Sequence, residues 1–63
     1  MNVAQLLTYL TEDQIKTLTL EHALGIIFKV EAVVDVLEEE GHAYDFEEVV
    51  REVIEMYMIE ELT

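Results

Sequence analysis

Sixty-three residues carry 52 % apolar side chains, 15 acidic and 3 basic residues, no cysteine and no proline, for a formal net charge of −12. That length holds one small domain over 1–63, and without cysteine there is no disulfide scaffold, zinc ribbon or CxxC redox site. The apolar share is too high for a disordered chain. Lys16, Lys29 and Arg51 are scattered rather than clustered, so neither direct nucleic-acid binding nor docking on an anionic membrane is expected.

The first segment, Val3 to Leu10, places Val3, Leu6, Leu7 and Leu10 on one helical stripe. Thr11-Glu12-Asp13-Gln14 has the form of a capping box with acids in the first turn, and predicts a short second helix through Leu18. Thr19, ahead of Leu20-Glu21-His22, offers the next start, with a break near Thr17 to Thr19. From Leu20 to Glu40 two periods compete. Leu20, Leu24, Ile27, Val30, Val34 and Leu37 follow helical spacing, whereas Phe28, Val30, Ala32, Val34 and Val36 alternate as a strand would. The stretch runs about 20 residues without a turn residue, against ~5–6 for a strand, which favours helix. Gly41 fits the left-handed position that ends it. Asp45 can cap a last helix whose apolar stripe runs from Phe46 through Val49, Val50, Val53, Ile54, Tyr57 and Met58 to near Leu62, with Arg51 able to pair with Glu47 or Glu55. The expected fold is all-α: a small bundle of three to four helices dominated by an αα-hairpin.

The central helix carries more apolar surface than a hairpin partner can cover. Ile26, Val33 and Val36 add to its main stripe, so apolar residues occupy over half its circumference. Small domains commonly gain core by association, so a homodimer through Ile26, Ile27, Val30, Val33 and Val36 is expected. A monomeric bundle that surrounds the helix is the alternative.

Signals for catalysis are weak. Serine and cysteine nucleophiles are absent. Glu39 and His42 have the Glu-x-x-His spacing of di-metal bundles, but such sites need two of these motifs and two further glutamates, and Gly41 interrupts this one. There is no phosphate-binding glycine loop and no EF-hand. Tyr9, Tyr44, Tyr57, Phe28 and Phe46 read as core or interface aromatics. No enzyme activity, cofactor or metal is expected.

The remaining signal is where the acids fall. Glu38, Glu39 and Glu40 crowd the end of the central helix, and Glu60 and Glu61 the end of the last one. Carboxylates there are unfavourable by roughly 0.3–1 kcal/mol each. Glu31, Asp35 and Glu38, and again Glu48, Glu52 and Glu55, are spaced i, i+4 and i+7, which sets neighbouring carboxylates roughly 6 Å apart along a helix. These ten residues are the candidate surface for a basic partner protein, including a nucleic-acid-binding protein whose groove they would occupy as a DNA mimic. The composition is similar to that of small acidic inhibitors of phages and mobile elements. The competing expectation is a structural or adaptor subunit that binds through the apolar face of the central helix, its acids serving solubility. The start Met1 to Leu7 lacks the charged and apolar regions of a signal peptide, and Ala23 to Leu37 is interrupted by charge, so a soluble cytoplasmic protein is expected.

Overall fold

Three successive capping boxes start three helices. Asn2 Oδ1 accepts from the Gln5 N–H at 2.8 Å while Gln5 Oε1 accepts from the Asn2 N–H at 2.9 Å. Thr11 and Gln14 repeat the exchange at 3.2 and 2.9 Å. Thr19 and His22 make a third version at 3.2 and 3.3 Å, in which His22 Nδ1 is the acceptor from the Thr19 N–H. Each box satisfies backbone donors that a helix start otherwise leaves unpaired.

The computed structural model describes residues 1–62, which form α1 (Val3–Leu7), α2 (Glu12–Thr17), α3 (Leu20–Glu39) and α4 (Phe46–Leu62), with no strand among them. The all-α fold with a dominant hairpin is therefore as the periodicities predict, and the strand spacing of Phe28 to Val36 is overridden by the longer helical pattern. The first helix is shorter than its stripe. Past Leu7 the chain tightens into i→i+3 bonds, from the Thr8, Tyr9 and Leu10 N–H groups to the carbonyls of Gln5, Leu6 and Leu7.

Helix α3 ends in a Schellman motif. Gly41, at φ +72°, lets its N–H reach the Glu38 carbonyl at 3.1 Å and the His42 N–H reach that of Leu37 at 2.9 Å. The chain turns through 40–45, and Asp45 opens α4 by accepting from the Glu47 N–H at 3.0 Å. Helix α4 returns antiparallel along α3, so Tyr57 lies against Gly25 while Val49 lies near Leu37. Helix α1 packs on α3 as well, and its Leu6 joins the core that α3 and α4 share.

The core sits where α1, α3 and α4 meet. Its four fully buried side chains, Leu6, Ile26, Val30 and Val50, come from all three helices, and Ala23, Val49, Val53, Ile54 and Tyr57 complete it. No polar side chain is buried among the described residues. The expected main stripe faces this core in part. Val30 is fully buried and Ile27, Val34 and Leu37 pack against the core, whereas Leu20 and Leu24 stand in solvent and Ala23 and Ile26 point inward in their place. A helix apolar nearly all round does not fix its own rotation, and the two packing partners do.

Candidate interaction surfaces

All ten acidic candidates are exposed, but the fold sorts them into different places. Asp35, Glu38, Glu48 and Glu52 gather around Tyr44 at the closed end of the hairpin. The Tyr44 hydroxyl donates to Glu38 Oε1 at 2.7 Å. Tyr44 also shares a shallow groove of about 220 Å³ with Glu48 and Glu52 from α4. The hydrogen bond to Glu38 raises the Tyr44 pKa above its ordinary 10.0, with lost hydration and the negative charges of Glu38 and Asp35 adding to it. Glu39 and Glu40 sit beside this rim at the end of α3, where Glu40 lies 3.4 Å from His42 Nε2.

The other acids lie elsewhere. Glu31 meets the Met1 amino group at 3.2 Å, a contact of α3 with the chain start. Glu55 lines a wider cleft of about 510 Å³ with Arg51, Tyr9 and Gln14. Glu60 and Glu61 lie at the far end of α4. Arg51 is paired with Glu47 at 2.9 Å, as the i, i+4 spacing allows. No group of three or more histidines and acids suited to a metal ion occurs among the described residues. Tyr44 is the member of the rim that sequence reasoning missed. Its signal was position, in the acidic loop six residues after Glu38.

The five apolar candidates divide as well. Ile26 and Val30 are fully buried within the chain, and Ile27 is packed against its core. Ile26 and Val30 are thus withdrawn from any self-association face, because α1 and α4 already cover them. Val33 and Val36 remain open. With Ala32, Val53, Met56, Lys29 and Glu60, Val33 lines an apolar groove of about 220 Å³ between α3 and α4. Ala32, Val33, Val36 and Leu37 continue it along α3. A second open apolar stripe, missed as such, consists of Leu20, Leu24 and Phe28 at i, i+4 and i+8, and Phe28 is 76 % exposed. No described helix is long and apolar enough to cross a membrane.

No protein-family model matches this sequence, no curated protein is similar to it, and no solved structure matches its fold.

Proposed function

We propose that this protein is a non-catalytic binding module whose acidic rim around Tyr44 takes a basic segment of a partner protein, in the manner of a small inhibitor or regulator. One observation carries the reading. Asp35, Glu38, Glu48 and Glu52 converge on one tyrosine from two helices, and among the described residues no lysine or arginine pairs with them. Carboxylates with no internal cation raise the local negative potential and speed the approach of a positive surface. Tyr44 adds a flat ring and a hydroxyl, features that contribute strongly where protein surfaces meet. A DNA-binding or RNA-binding protein is the kind of partner whose cationic groove such a rim would fill.

Capture from a cell lysate, washed in parallel at low and high salt, tests this. The expected catch is a basic protein that is lost at high salt and displaced by DNA or heparin, and that Glu48→Lys with Glu52→Lys no longer retains. A catch that ignores salt and both reversals would refute the reading. The second reading is an adaptor that binds through apolar surface. It is favoured by the groove along Ala32, Val33, Val36 and Met56, which remains open although the core is complete without it. Such binding would be nearly indifferent to salt and would fail when Val33 is made polar.

A further inference from the structure

We propose that a second copy of this chain occupies the α3/α4 groove, the two α3 helices lying antiparallel about a two-fold axis between Val33 and Val36. The seam meets the acidic rim only at Glu40, which sits beside that rim at the closed end of the hairpin.

The first argument is spacing. Lys29, Val33 and Val36, with Glu40 at the C-cap of α3, are separated by four, three and four residues, so they follow one line along the helix. That alternation is the one by which two helices keep a shared seam in contact. Ile26, next along the same line, is spent in the chain's own core, so the open seam begins at Lys29.

The second argument is charge. Antiparallel pairing about that axis sets Val33 across from Val36 of the partner subunit. It also sets Lys29 across from Glu40 of the partner subunit, each about 8 Å along its helix from the axis. Symmetry makes this contact twice. Among the described residues Lys29 makes no ion pair with a carboxylate. Its Nζ rests 5.6 Å from the centre of the Tyr57 ring, at the edge of the groove. Glu40, whose carboxylate lies 3.4 Å from His42 Nε2 of its own chain, keeps a 58 % exposed side chain. A parallel arrangement would instead set lysine against lysine and glutamate against glutamate. The rival apolar stripe, Leu20, Leu24 and Phe28, lies on the same side of α3 as Glu31 and Asp35. It offers no lysine or arginine to meet the acids of another copy.

Two chains of charge −12 repel each other at long range, so screening strengthens this association. A cationic partner on the acidic rim responds to salt in the opposite direction, and the two ideas can therefore fail separately. Sedimentation velocity over a concentration series in high salt reads the assembly, with circular dichroism confirming that each variant keeps its helix content. A dimer is expected, which Val36→Lys converts to monomer and Phe28→Asp leaves intact. Lys29→Glu and Glu40→Lys should each weaken it roughly tenfold, since two exposed pairs become two like-charge contacts. The double exchange Lys29→Glu with Glu40→Lys should restore it. A chain monomeric at every concentration, a dimer indifferent to Val36→Lys, a dimer dissolved by Phe28→Asp, or a double exchange without rescue would each overturn the proposal.

Discussion

Gly25 and Tyr57 show how single side chains fix the hairpin. Glycine inside a helix ordinarily costs about 0.5–1 kcal/mol against alanine, yet here it leaves room for a ring. A Cβ at Gly25 would lie 3.1 Å from the Tyr57 hydroxyl oxygen and 3.4 Å from a ring carbon. The ring has little freedom to move aside, since His22 meets it edge-on at 5.9 Å and Lys29 lies at its face. Gly25→Ala should therefore be close to neutral, its gain in helix propensity offset by crowding. Removing the hydroxyl with Tyr57→Phe should make the same alanine stabilising, by up to about 1 kcal/mol. Equal effects of Gly25→Ala in both backgrounds, read by urea melts, would show that the hydroxyl does not limit the approach. Tyr44 gives a pH prediction. Its pKa is raised in the folded chain, so whatever its bond to Glu38 contributes is fully present below the unfolded value of 10.0 and is lost as pH rises through the folded one. The tyrosinate absorbance that disappears in Tyr44→Phe should titrate above 10.0, and Glu38→Ala should bring it back toward that ordinary value.

Among the elements, similar caps are expected to have unequal consequences. Thr19 starts α3, which supplies Ala23, Ile26 and Val30 to the core, whereas Thr11 starts α2, which buries no residue. Thr19→Ala should lower global stability by about 1 kcal/mol, and Thr11→Ala should mainly speed amide exchange within α2. A comparable fall in global stability for both would mean that α2 belongs to the same cooperative unit as the core. The starts and stops of these helices were legible because capping chemistry is local. The Thr11–Gln14 box, the start at Thr19, the left-handed Gly41 and the Asp45 cap all act within a few residues of chain, and each is found where its spacing puts it. The rotation of α3 was legible only in part, since it depends on α1 and α4, far away in sequence. Ile27, Val30, Val34 and Leu37 of the expected stripe do meet the core, but Leu20 and Leu24 stay outside with Phe28, and Ile26 turns inward. The acidic runs were legible as lines on single helices, but their convergence on Tyr44 depends on how the turn at 40–45 folds α4 back beside α3.

At the scale of the whole molecule, charge and size set a dependence on salt. The protein measures 36 × 22 × 17 Å and carries a net charge of −12. The screening length is about 30 Å at 0.01 M salt and about 8 Å at 0.15 M. At the lower concentration nearly every carboxylate feels every other, and at the higher one only its neighbours. Folding concentrates these charges, so their repulsion weighs against the native state and screening should relieve it. The opposing loss is small. The ion pairs among the described residues that do not involve histidine, Met1–Glu31 and Glu47–Arg51, both have a solvent-exposed carboxylate, and such pairs contribute about 0–1 kcal/mol each. Tm should therefore rise with sodium chloride, most steeply below about 0.15 M and more gently above it. A gain of 1 kcal/mol would appear as roughly 4–8 °C in a domain of this size. Chloride is the suitable anion, since sulfate also strengthens apolar burial. Because salt is also expected to favour association, the melts belong in Val36→Lys, which keeps the charge pattern almost unchanged and removes the contribution of a second copy. A Tm that fell with salt in that variant would mean that the scattered cations hold the fold together more strongly than their exposed positions imply.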